Sequence, residues 1–95
     1  TLDCRKHVIL GMMANKNHEK YISHFKDISS LTTIDIPNQP NAISGEKLKK
    51  KFKNIQNVQY KKNIEQAVKS IPLKENDLII ITGSLYLAGE MLNLN

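Results

Sequence analysis

Cys4 is the one cysteine in the sequence, so no disulfide can close within the chain, and no Cys or His neighbour stands from it at a metal-ligand spacing. The longest apolar runs, Val8 to Met13 and Leu78 to Ile81, fall far short of the roughly 20 residues that cross a bilayer. No signal-peptide pattern opens the chain, and a soluble, cytoplasmic protein is expected. Arginine occurs once, at Arg5, and aromatic residues make up only 5% of the sequence. They do not alternate with basic residues, as the stacking surfaces of single-strand binders do. None of His7, His18 and His24 has a histidine at i+3 or i+4, which leaves no helical metal pair. Asp3, Asp27, Asp35 and Asp77 are scattered. There is no G-x-x-x-x-G-K-[ST] loop to cradle a nucleoside triphosphate and no G-x-S-x-G elbow to present a nucleophilic serine. Internal repeats and low-complexity tracts are absent too.

What is present suits one small core. The 95 residues are 40% hydrophobic and 24% charged, a composition that folds and fits a single domain or part of one. A chain of this size hides only about two thirds of the surface its unfolded form exposes, so its stability margin is thin. The net charge of +5 raises the question of a polyanionic partner. Much of the excess comes from Lys47, Lys49, Lys50, Lys51 and Lys53, interleaved with Leu48, Phe52 and Ile55. Those three apolar residues share a helix face and would point inward, so a solvated lysine face is preferred to a nucleic-acid site.

Along the chain, His7 to Met13 reads as a buried strand. Asn17 is the expected cap of a helix carrying Tyr21, Ile22, Phe25 and Ile28, closed by Ser29 and Ser30. Leu31 to Ile36 is a β-branched strand stopped by Pro37, followed by a loop over Asn38 to Ile43. Ser44 should cap the lysine-rich helix, with Gly45 a modest penalty in its first turn. Asn57 to Tyr60 is a short strand. Asn63 should cap a helix carrying Ile64, Ala67, Val68 and Ile71, ended by Pro72. Asp77 to Thr82 reads as a strand buried on both faces, and Leu85, Leu87, Ala88, Met91 and Leu92 outline a final helix. Strands alternating with helices imply an α/β fold, a Rossmann-like, mostly parallel sheet with helices on its faces.

Ligands of open parallel sheets bind beyond the carboxyl ends of the strands. Two loops lie there, Met12 to Asn17 and Thr82 to Tyr86. In the second, a helix start after Gly83 would offer N–H groups to an anion, and Ser84 could add a hydroxyl or simply cap the helix. In the first, Lys16 is either an exposed loop lysine or a mobile point charge for an anionic ligand.

The same two loops carry a family resemblance. Val8-Ile9-Leu10-Gly11-Met12-Met13-Ala14-Asn15-Lys16-Asn17 resembles the GML-x-(D/T)-K-D segment of folate ligases. Ile80-Ile81-Thr82-Gly83-Ser84-Leu85-Tyr86-Leu87-Ala88-Gly89-Glu90 resembles their TGSLYLAGE segment, and Ile36 to Ala42 fits the proline-containing loop between them. The resemblance is to the bifunctional dihydrofolate synthase and folylpolyglutamate synthase family of the Mur ligase superfamily, and runs from about His7 onward. It implies that residues 1 to 95 are part of a single C-terminal, glutamate ligase domain of an ATP-dependent carbon-nitrogen ligase. In that chemistry ATP activates a carboxylate of dihydropteroate or folate, and the amino group of L-glutamate attacks it. Carried over by motif, Lys16 and Ser84 are the expected glutamate-binding residues, with Tyr86 as a wall of the site.

Departures from the pattern shape the remaining expectations. Asn17 stands where the family has aspartate, and Asn15 where it has aspartate or threonine. Neither the DGAHNP-like segment that opens such domains nor the N-terminal domain with its phosphate loop and magnesium ligands is in this sequence. The chain is therefore expected to be a fragment lacking the first strand-helix unit, inactive alone, with ATP and Mg²⁺ belonging to the whole enzyme. Unpaired strand edges should favour self-association. The alternative reading is a free-standing basic α/β module that binds nucleic acid or another polyanion.

Overall fold

The structure, a computed structural model, describes residues 5–23, 28–52, 55, 57–74 and 77–83. Cys4, Phe25, Lys53, Ser84, Tyr86 and the expected helix from Leu85 to Leu92 lie outside the described residues.

The apolar run after Arg5 forms β1 (Lys6–Leu10), and its Val8, Ile9 and Leu10 have no exposed surface. Burial of each stabilises the fold by about 1.5–3 kcal/mol. Then follow α1 (His18–Ile22), β2 (Ile28–Thr33), α2 (Gly45–Lys50), β3 (Val58–Tyr60), α3 (Ile64–Ser70) and β4 (Leu78–Thr82). Each helix starts where its cap was legible: Asn17, Ser44 and Asn63 accept from the backbone N–H groups of Lys20, Lys47 and Gln66. Such caps satisfy donors that have no partner inside the helix.

The four strands form one all-parallel sheet in the order β3-β2-β1-β4. Side chains alternate across it. Val8, Leu10 and Leu31 pack with Ile22 of α1 and Leu48 of α2 on one face. Ile9 and Ile34 pack with Ile64, Ala67 and Ile71, which belong to α3 and its end, on the other. The chain therefore steps outward from β1 to β3 along one face and returns along the other to place β4 beyond β1. This is the expected Rossmann-like α/β sheet with helices on both faces. The lysines of α2 are exposed, while Leu48 and Phe52 are buried and Ile55 is half-buried.

Three sequence-based boundaries shift. The first strand ends at Leu10 rather than Met13, because Met13 turns away into an antiparallel bridge with Ala42. Ile28, Ser29 and Ser30 open β2 instead of closing α1, and β2 ends at Thr33 rather than Ile36. The cause is a partner distant in sequence: Ile28 pairs with Lys6, and the Ser30 hydroxyl lies 2.7 Å from His7 Nδ1. The run Leu78 to Ile81 is not buried on both faces either. Leu78 is 51% exposed and Ile79 to Ile81 are half-buried, since β4 pairs only with β1 among the described residues.

A buried carboxylate fastens β4 to its neighbours. Asp77 accepts from Arg5 Nη2 at 2.7 Å and from the Lys74 backbone N–H at 3.0 Å, and lies 3.2 Å from His7 Nε2. Arg5 above all, then the Lys74 N–H, hold the Asp77 carboxyl far below the usual carboxylate range.

On the other side of the sheet Asp35 plays a similar part. It accepts from the Gly45 N–H at 2.7 Å and from the Tyr60 hydroxyl at 2.5 Å. That hydrogen bond first, and burial second, push the Tyr60 phenol up to about 12. The folded value lies above the unfolded one of about 10, so the neutral phenol contributes stability below pH 10, and this is lost as pH rises towards 12. Chemical denaturation across that window should show falling stability, and Tyr60→Phe should flatten the fall. An unchanged slope in the variant would remove Tyr60 as its source.

Candidate functional site

The chain runs outward from β1 through β2 to β3 and then crosses back to β4, so the strand order switches at the β1/β4 pair. In open parallel sheets the crevice beyond the carboxyl ends of such a pair is where ligands bind. There the two strand ends meet closely. The Gly11 N–H donates to the Thr82 carbonyl at 3.3 Å, and Gly83, at φ +115°, leaves no room for a side chain, since a Cβ would sit 2.2 Å from the Gly11 carbonyl oxygen. The Tyr21 hydroxyl and Thr82 Oγ1 share a short hydrogen bond that ties α1 to the end of β4.

A cleft of about 350 Å³ opens at this point, lined by Met12, Lys16, Asn17, Lys20, Tyr21 and Gly83. Lys16 and Lys20 are both exposed, so two mobile ammonium groups border one hollow with an apolar wall. Such a site suits a small dianion. Asn17 contributes through the backbone: its side chain accepts from the Lys20 N–H at 3.0 Å. Asparagine caps a helix as well as aspartate does, so the departure from the family pattern keeps the cap and removes a negative charge next to Lys16.

The loop carrying Lys16 is braced from two sides. His18, buried, lies with Nε2 3.0 Å from the Met13 carbonyl. The proline-containing loop adds the Ala14 N–H to Asn41 carbonyl bond at 2.9 Å and the Ile43 N–H to Met12 carbonyl bond at 3.1 Å. Asn15 turns into a neighbouring hollow with Pro40, Asn41 and Ala42 rather than into the cleft.

Of the residues expected from the sequence, Lys16 stands in the cleft. Ser84 and Tyr86 fall outside the described residues, though Ser84 directly follows the cleft residue Gly83. Lys20 was missed. Its signal was its spacing, four positions after Lys16 across a helix start. Among the described residues, no group of three or more His, Cys, Asp or Glu could hold a metal ion, and no helix is long and apolar enough to cross a membrane. With no phosphate loop in the sequence either, the described residues do not fit ATP or Mg²⁺.

Residues 1–85 match the family described as Mur ligase, glutamate ligase domain. The chain belongs to this family. No curated protein sequence matches this glutamate ligase domain significantly, whereas solved structures share its fold. Folylpolyglutamate synthase of Mycobacterium tuberculosis, solved with ADP and AMPPCP, superposes with a TM-score of 0.78 at 17% identity, covering 95% of this chain and 23% of that one. Folylpolyglutamate synthase of Thermotoga maritima gives 0.78 at 20% identity over 95% and 21% of the two chains. The bifunctional folylpolyglutamate synthase/dihydrofolate synthase of Yersinia pestis, complexed with AMPPNP and a Mn ion, gives 0.76 at 16% identity over 95% and 22%. At these identities the likeness is one of fold, and the glutamate ligase domain spans less than a quarter of each of those chains.

Proposed function

We propose that the chain is the glutamate-side lobe of an ATP-dependent ligase that joins L-glutamate to dihydropteroate or folate in the cytoplasm. The observation that supports this most is the pair Lys16 and Lys20 on one cleft at the sheet's switch point. Glutamate is a small dianion, and each ammonium group can take one of its carboxylates as a point charge. Ser84, next after Gly83, adds a hydroxyl donor, and Tyr86 a wall. With its carboxylates held, the amino group is the end left for the activated carboxyl of the folate substrate, which it attacks to form the amide. ATP and Mg²⁺ act elsewhere in the whole enzyme. The 95 residues alone are inactive in this reading and self-associate through the edge of β4 that has no strand beside it among the described residues. A mass that stays monomeric at every concentration would contradict the self-association.

In the complete enzyme, Lys16→Ala and Lys20→Ala should each raise the glutamate KM by about tenfold or more, the effect of losing one hydrogen-bonded charge pair. The KM for ATP and the melting temperature should stay unchanged, because both side chains are exposed. Wild-type glutamate kinetics in both variants would overturn the site.

A further inference from the structure

The sheet ends at β3 among the described residues, and the outward-facing backbone groups of that strand can be assigned. The Asn57 carbonyl accepts from the Leu31 N–H at 3.0 Å, and the Lys61 N–H donates to the Thr33 carbonyl at 3.0 Å. Backbone groups alternate sides along a parallel strand. Those of Gln59 therefore face β2, and the N–H and C=O groups of Val58 and Tyr60 face the open edge. Beside that edge, between α2 and β3, runs a groove of about 850 Å³. Phe52, Ile55 and Val58 give it apolar lining, and Lys49, Lys50 and Lys61 oppose a single carboxylate, Glu46.

We infer that this groove takes an extended acidic peptide segment, which adds as a strand along β3 and sets its carboxylates against Lys49, Lys50 and Lys61. Addition of a strand at an open edge supplies main-chain hydrogen bonds, while side-chain pockets and charge supply selectivity. A second copy of the chain is a poor occupant of this groove, because Lys49, Lys50 and Lys61 would face their own counterparts across it. A nucleic acid has no N–H and C=O ladder to match Val58 and Tyr60, and the chain's one arginine is engaged with Asp77 at the opposite edge of the sheet. The groove is separated from the β1/β4 cleft by β2, so this inference and the glutamate site stand or fall separately.

The test is a fluorescence anisotropy titration of the full chain with a short fluorescein-labelled peptide of alternating glutamate and valine. The controls are the same peptide N-methylated at alternate residues in either register, and an oligothymidylate of equal charge. Saturable binding is expected, weakened several-fold when salt rises from about 50 to 200 mM. The double variant Lys49→Glu, Lys50→Glu, whose side chains are exposed, should bind about tenfold or more weakly, as should the oligothymidylate and whichever of the two N-methylated peptides has its methyl groups turned towards β3. The other, methylated on the outer side, should keep its affinity. Amide hydrogen exchange at Val58 and Tyr60 should slow when the peptide binds. Absence of saturable binding, undiminished binding of both N-methylated peptides, equal binding of the oligothymidylate, or an unaffected double variant would each overturn the inference.

Discussion

Gly83→Ala should destabilise the chain by about 3 kcal/mol or more, from a strained backbone of about 1–3 kcal/mol and a steric clash of similar size. The residue sits at φ +115°, and the added Cβ would meet the Gly11 carbonyl oxygen at 2.2 Å and Leu10 Cδ1 at 2.9 Å. The first of these is backbone in a strand end held by the Gly11 to Thr82 hydrogen bond, so relief requires the two strands to part. Parting them opens the floor of the cleft that Lys16 and Lys20 border. Urea denaturation reads the effect directly. With a slope of about 1 kcal/mol per molar urea for a small domain, the midpoint should fall by about 3 M. A fall below about 0.5 M would show that the strand ends do not approach so closely.

Gly45→Ala should also destabilise, against the usual sign. In a helix, alanine in place of glycine ordinarily gains about 0.5–1 kcal/mol. Here the new methyl group would lie 2.5 Å from the Tyr60 ring and 2.9 Å from the Ile34 backbone carbon. Neither neighbour gives way easily. The ring is pinned through its hydroxyl to Asp35, the same carboxylate that accepts the Gly45 N–H, and the Gly45 carbonyl accepts from the Thr33 hydroxyl at 2.7 Å. Overpacking of this kind costs about 1–3 kcal/mol, so thermal melting should drop. Combining Gly45→Ala with Tyr60→Ala should remove part of the difference, because the ring is then gone. A variant more stable than the parent would show that the helix start is free to shift.

Gly45 illustrates what the sequence conveys and what it does not. Local chemistry was legible: Asn17, Ser44 and Asn63 were recognisable as caps from their place before apolar periodicity, and the alternation of strands with helices was enough for the parallel sheet. Partners distant in sequence were not. Nothing near Gly45 announces that Tyr60 stacks against it. Nothing near Ser30 announces His7, so Ile28 to Ser30 looked like the end of a helix. The run Leu78 to Ile81 has the composition of a central strand, but its exposure depends on which strands flank it.

The cleft divides in the same way. Lys16 was legible because a motif and a strand end coincided on it. Lys20 was not, because its place beside Lys16 depends on where the short helix α1 begins. The Arg5, His7 and Asp77 cluster is a matter of topology alone, with Arg5 and Asp77 72 positions apart.

That separation has a consequence for how the protein comes to be folded. β1 is flanked by β2 on one side and by β4 on the other, so its hydrogen bonds cannot all form until β4 has left the ribosome. At roughly 5–20 residues per second, translating the 72 positions between Arg5 and Asp77 takes about 4–14 s. For that interval Val8, Ile9 and Leu10, all fully buried in the finished fold, have one strand edge without its partner. Non-local parallel pairing is also slow to form once the chain is available. The nascent chain is thus most exposed to aggregation at its central strand, and a chaperone that shields short aliphatic runs would act there first.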